Sequence, residues 1–118
     1  MKETIKTIMD WHEQTFPDAT LEGQLEKYQE EQLEWVESGE KDVDELADML
    51  IVACGIARFN IWEGTFYFAD ISDWMSSDVP ISWKDLEEAV NRKMAKNRKR
   101  VWRKTATGTY HHENGIED

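Results

Sequence analysis

Glu31, Glu34, Glu45 and Asp48 form two acidic pairs, each with its members three residues apart. Residues at that spacing are neighbours on one face of a helix. The pairs are also placed symmetrically about Gly39–Glu40. If two helices fold back antiparallel at that point, the pairs come to lie side by side. Four carboxylates converging with no base between them repel one another, so the cluster asks for a hard cation such as Mg²⁺ or Mn²⁺. Such a cation, held by oxygen ligands, suits metal-assisted hydrolysis of a phosphate anhydride. Asp48 carries the most information of the four. It interrupts the run Leu46-Ala47-Asp48-Met49-Leu50-Ile51-Val52-Ala53-Cys54, which is apolar on nearly every side. A helix of that kind is buried, and a carboxylate inside it needs a partner. The first pair is open to a blander reading. The ladder Glu34, Glu37, Glu40 continues it, and such a ladder is also what a solvated helix face looks like.

A second set of polar residues lies near the end of the chain. Leu86, Val90, Lys93, Asn97 and Val101 share one helical stripe, flanked by Met94 and Arg100. Lys93 and Asn97 thus occupy core-facing positions, where an ammonium and an amide could meet phosphate oxygens beside a carboxylate–metal cluster. The alternative is a basic helix end, Lys96 to Lys104, that complements the helix dipole. Near the N-terminus, Trp11, His12 and Phe16 cluster before Pro17. They could pack one helix end, or Trp11 and Phe16 could form an aromatic wall for a base. His111-His112 is expected to be a tail feature, since adjacent histidines do not share a helix face.

The elements that must position these groups read as helices. The first spans about residues 2–15, with Ile5, Ile8, Met9 and His12 on one face, and ends before Pro17. The second starts after Asp18 or Thr20, either of which can cap it. Its stripe is Leu21, Leu25, Tyr28, Gln32 and Trp35, with Glu31 at the border and Glu34 further round. Ser38-Gly39 reads as its stop. The third runs from about Asp42 to Glu63. Residues 65–81 suggest a short amphipathic helix and then a loop. Ser82, with Asp85 behind it, caps the last helix in capping-box form. The expectation is an all-α, four- to five-helix bundle over residues 1–104, followed by an irregular tail over 105–118, and assembled as an oligomer.

Composition limits the function. At 118 residues with 40% hydrophobic content and 6 Trp, the chain can build one domain with a real core. A net charge of −11 argues against nucleic-acid polymers as partners but not against a nucleotide held through metal ions. The one cysteine, Cys54, lies in the apolar run and reads as a core residue in a reducing compartment. The N-terminus does not read as a signal peptide, and the apolar run Met49–Ile56 is too short to cross a bilayer, so a cytoplasmic protein without a membrane partner is expected. No Gly-rich phosphate loop, no nucleophile with its base and no Glu-x-x-His pair is present in the sequence.

The ordered set Glu31-x-x-Glu34, Glu45-Leu-Ala-Asp48-Met-Leu-Ile, then Lys93-Met-x-x-Asn97-Arg-x-Arg100-x-Trp resembles the MazG-like, all-α nucleoside triphosphate pyrophosphohydrolases. That superfamily includes dimeric dUTPases and dCTP pyrophosphatases. The resemblance covers roughly residues 8–103. It implies a helical bundle in which Glu31, Glu34, Glu45 and Asp48 bind Mg²⁺, with Mn²⁺ a possible substitute, and in which Glu31 or Glu34 handles the attacking water. It implies phosphate contacts from Lys93, Asn97 and Arg100, and a base pocket involving Trp11 and Phe16. The implied substrate is a (deoxy)nucleoside triphosphate, cleaved to the monophosphate and pyrophosphate by a homodimer or homotetramer. The gap between the acidic pairs is short, so the turn must be tight. Two other readings fit the composition: an acidic helical interaction module, and a catalytically silent nucleotide sensor that keeps every ligand.

Overall fold

Among the described residues five helices are laid down in chain order, each started by a side chain that accepts from a free N–H group. The computed structural model describes residues 2–100, 102–104 and 110–112. Helix α1 (Ile5–Thr15) opens on a capping box between Thr4 and Thr7. Helix α2 (Leu21–Glu37) is capped by Thr20, whose hydroxyl accepts from Gly23 N at 3.0 Å. Helix α3 (Val43–Phe59) is capped by Asp42, α4 (Ile61–Met75) by Asn60 and α5 (Trp83–Asn97) by a capping box of Ser82 with Asp85.

Helix α3 is the centre of the bundle and packs against each of the other four helices. Leu46, Ala47, Met49, Ala53, Cys54 and Ile56 have no exposed surface. This is the all-round burial expected of a helix that is apolar on most sides. It ends at Phe59, four residues before the expected end at Glu63. Asn60 stops it, and the Asn60 side chain accepts from the N–H groups of Trp62 and Glu63 to start α4 at once. The apolar run on both sides hides this break from periodicity, because one buried helix and two look alike there. The sharp return brings Gly64 against Ala57, where a Cβ on Gly64 would lie 2.6 Å from Ala57 Cα. Residues 65–75, ambiguous from sequence, thus belong to a full helix that begins at Ile61. Two of its aromatic residues serve packing: Tyr67 lies against Tyr28 and Trp74 against Trp35, with centroids 4.4 and 6.2 Å apart.

The chain ends are tied to each other. Glu3 N donates to Asn91 Oδ1 at 2.8 Å, and the Arg98 guanidinium makes two bonds to the Glu3 carboxylate at 2.9 and 2.8 Å. After α5 the order is not purely helical. A short antiparallel ladder pairs β1 (Trp102–Lys104) with β2 (Tyr110–His112), so part of the expected irregular tail is a strand. The other tail residues lie outside those described. No described helix is long and apolar enough to cross a membrane.

Candidate metal centre

The turn between α2 and α3 is what gathers the acids. Gly39 and Glu40 both take left-handed backbone angles, with φ of 83° and 58°. Only glycine adopts that region freely, so Gly39 makes a tight reversal possible, while the non-glycine Glu40 is held there by tertiary context. Glu40 N donates back to Trp35 O at 3.2 Å, which closes the end of α2. The helices leave this turn antiparallel, and the pairs symmetric in sequence become neighbours in space.

Glu31, Glu45 and Asp48 each point a carboxylate oxygen into one small volume, with the three atoms within 4.8 Å of one another. Glu31 is 8% exposed, and Glu45 and Asp48 are half-buried. Burial pushes the Glu31 carboxyl up to about 8, with the Asp48 charge adding to it and Lys27 opposing. Burial also pushes Glu45 up to about 7, helped by its hydrogen bond to Glu34. Asp48 is raised by burial too, against the pull of Lys93. Glu31 Oε2 and Glu45 Oε2 are both buried without a hydrogen-bond partner. An unpartnered buried carboxylate oxygen is costly, and a cluster of hard oxygen donors with two of them unpaired fits a hard divalent cation. The third unpartnered buried polar atom, Trp35 Nε1, lies one turn beyond Glu31 on the same helix.

Glu34 stands apart from the other three. It is exposed at the rim and reaches the cluster through Glu45. Two lysines flank the acids. Lys93 Nζ lies 3.3 Å from Asp48 Oδ2, with its side chain only 12% exposed. Lys27 Nζ lies 3.6 Å from Glu31 Oε1. One turn before Asp48, Asp44 pairs with Arg92 at 2.5 Å, which fixes α5 against α3 and sets Lys93 opposite Asp48. Neither Lys27 nor the Asp44–Arg92 pair was singled out from sequence. The spacing of four between Lys27 and Glu31 was the readable signal for the first.

The remaining expected site residues lie further along. Asn97 is buried, but its amide is engaged with its own neighbours: Oδ1 accepts from Arg100 at 3.0 Å, and Nδ2 lies 3.8 Å from Met94 Sδ. Arg100 in turn lies over the Trp102 ring, 5.8 Å from its centroid. Trp11 and Phe16 are buried in an edge-to-face cluster with Trp102, where the Phe16 ring lies 5.2 Å from Trp11 and 5.1 Å from Trp102. A cavity of about 340 Å³ opens elsewhere, between α1, α3 and α5, walled by Ile5, Ile8, Leu50, Cys54 and Trp83. None of the four acids lines it. Its rim acids are already paired, Glu3 with Arg98 and Glu87 with Lys2.

This chain is 29% identical over 107 residues to a protein named dATP/dGTP diphosphohydrolase from Salmonella phage PMBT28. The match takes in 91% of this chain and 29% of the relative, so the chain spans less than a third of the length of the curated relative it matches. No family model matches the chain, and no solved structure matches it.

Proposed function

We propose that this protein is a divalent-metal-dependent nucleoside triphosphate pyrophosphohydrolase that converts a deoxynucleoside triphosphate to its monophosphate and pyrophosphate. One observation carries the reading. Three carboxylates meet within 4.8 Å, and two of them keep a buried oxygen without a partner. The similarity to a phage protein named for dATP and dGTP supports the substrate class and makes deoxypurine nucleotides the first to test.

Glu31, Glu45 and Asp48 would hold the cation, with Glu34 completing the set from the rim. When bound, Mg²⁺ or Mn²⁺ would neutralise phosphate charge and make a bound water more acidic. The chain's own groups would do the rest. Glu34, open to solvent, or Glu31, deeper in the cluster, orients the attacking water and accepts its proton. The water oxygen bonds to the α-phosphorus as the bond from that phosphorus to the α–β bridging oxygen breaks. Pyrophosphate takes the electron pair. Lys93 offsets the charge that builds on the leaving group. Asn97 at the end of α5 and Arg100 just beyond it would reach the outer phosphates, and a base resting on Trp11 or Phe16 requires Trp102 to move aside. Leu33 and Val36, 58% and 47% exposed beside Glu34, are where a second subunit would cover the flank of the site.

The test is pyrophosphate release from a panel of ribo- and deoxynucleoside triphosphates, with Mg²⁺ and with chelator, for wild type and Asp48→Asn. The expected result is metal-dependent release that Asp48→Asn abolishes while its circular dichroism stays helical. Release that survives chelator, or full activity in the variant, overturns the reading. Absence of release with every nucleotide favours the acidic interaction module or the silent sensor instead.

A further inference from the structure

Lys27 is held beside the acid cluster by charge, not by a good hydrogen bond. Its Nζ lies 3.6 Å from Glu31 Oε1, beyond the usual range for an N–H···O bond. Lysine placed four residues before glutamate is also the weaker order for a helical ion pair. The side chain is 28% exposed, so it touches both the buried carboxylate and solvent at the mouth of the site. It mirrors Lys93, which sits on Asp48 at the other side of the cluster.

The charges explain why two ammonium groups belong there. With all four acids ionised and both lysines charged, the cluster carries a formal charge of −2. One divalent cation balances that. A triphosphate then adds several negative charges that the site must meet from its own groups. A cation on Glu31 also removes the reason for Lys27 to stay there, because the same carboxylate now faces the metal and the two cations repel. A phosphate of a bound nucleotide would then offer it a new anion, and its flexible four-carbon stem lets it change partners.

We propose that Lys27 is a substrate-binding residue that exchanges partners, pairing with Glu31 in the empty site and with a phosphate of the nucleotide once a cation takes Glu31. The inference rests on the pyrophosphohydrolase reading above. It makes Lys27 the counterpart of Lys93 and assigns a polyphosphate-facing role to both flanks of the acid cluster.

Lys27→Met tests it, since methionine keeps an unbranched stem and good helix propensity but no charge. Two measurements are needed, each with Lys27→Arg alongside. The first is Mn²⁺ affinity without nucleotide, by electron paramagnetic resonance. Removing a competing cation should tighten it by roughly fivefold. The second is the affinity for an α,β-methylene deoxynucleoside triphosphate at saturating Mg²⁺, by calorimetry, together with KM for the hydrolysable nucleotide. Both should weaken by roughly tenfold in Lys27→Met and recover in part in Lys27→Arg. The opposite directions of the two effects are the signature. Nucleotide affinity equal to wild type overturns the exchange and leaves Lys27 a local counter-ion. Weaker Mn²⁺ binding in Lys27→Met also overturns it, because Lys27 would then be positioning Glu31. If wild type binds the analogue yet releases no pyrophosphate, the hydrolase reading fails while the exchange is still decided by the two affinities. If wild type does not bind the analogue at all, both fail.

Discussion

Helices α2 and α3 carry a buried polar cluster near each end of their contact, and the two are built in opposite ways. Near the start of α3, Glu31 meets Glu45 and Asp48, and two carboxylate oxygens have no partner. Near its end, Gln24 of α2 and Arg58 of α3 enclose His12 of α1, and the groups answer one another. Arg58 places one guanidinium nitrogen 3.0 Å from His12 Nδ1 and donates from it to Phe16 O at 2.9 Å. Gln24 hydrogen-bonds the His12 side chain. Gly55 makes room for this, since a Cβ there would come within 2.8 Å of both Gln24 Oε1 and His12 Nε2. Both clusters are buried, and both contain titratable groups pushed well away from their ordinary values. Burial and shifted acidity therefore do not by themselves mark a working site. The difference lies in completion. The histidine cluster is finished by the fold, whereas the acid cluster leaves two buried carboxylate oxygens unpartnered. Sequences break local rules of this kind chiefly where function requires it.

The sharpest way to break that comparison is to neutralise Glu31. Glu31→Gln keeps the shape and removes a carboxyl whose ionisation burial and its acidic neighbours oppose in the metal-free fold. Turnover should fall by on the order of 10²–10³, the loss typical of removing one group that stabilises developing charge. The melting temperature without metal should hold or rise, while the stabilisation that excess Mg²⁺ gives wild type, about 2.7 kcal/mol at a hundredfold excess over Kd, should disappear. Paired kinetics and thermal melts check this. A clear drop in metal-free melting temperature would make the acid cluster structural and erase the contrast.

Arg58→Met should do the reverse. It removes the donor at His12 Nδ1 in the interior and one of the two donors to the Phe16 carbonyl, which keeps its bond from Ala19 N. The expected cost is about 2–3 kcal/mol, since a buried group left unpaired loses its full desolvation penalty. For a domain of this size that lowers the melting temperature by roughly 10 °C. Activity per folded molecule, measured well below the transition, should stay close to wild type. A large loss of turnover with an unchanged melt would move Arg58 into the site.

The two clusters were not equally legible in the sequence. The acids were, because their spacing is local: three residues within each helix, and symmetry about one glycine turn. Thr20 and Ser82 were legible as caps for the same reason. Glu31 reads as a border position on its own helix, yet it is buried, with its carboxylate against Glu45 and Asp48 of α3. Periodicity within one helix cannot see a neighbour arrive. The break at Asn60 was hidden for a related reason, since its sharpness depends on Gly64 fitting against Ala57 across the turn. Of the histidine cluster, only the inward face of His12 and its grouping with Trp11 and Phe16 were legible. His12, Gln24 and Arg58 come from three helices, and only the assembled packing brings them together. Asn97 was legible as a polar intrusion on a core stripe, with Arg100 on its flank, but their bond to each other shows how a helix end can satisfy itself.

The smallest effect separates the clusters by the sign of their response to pH. His12 is held down to about 4 by burial and by the Arg58 charge, from an ordinary value of 6.5. The folded form keeps it neutral, and the unfolded chain takes up the proton first. Its contribution is therefore present above pH 6.5 and is lost as pH falls from 6.5 toward 4. Glu31 and Glu45 run the other way. Their folded values, about 8 and about 7, stand above the ordinary 4.5, so the folded form holds protons that the unfolded chain has released. Their contribution is full below pH 4.5 and is lost as pH rises through 7 and 8. Between 4.5 and 6.5 the two slopes oppose each other. Above 6.5 only the acids remain in play, and the metal-free protein should lose a few degrees of melting temperature between pH 6.5 and 8. The double variant Glu31→Gln, Glu45→Gln should flatten that upper limb and leave the fall below pH 6.5 in place. Saturating Mg²⁺ should flatten it in wild type as well, because a cation that favours the ionised carboxylates removes the penalty that rising pH exposes. An upper limb that survives both treatments would assign the slope to the general repulsion of a chain with a net charge of −11, and the acid cluster would lose its distinction from the rest of the surface.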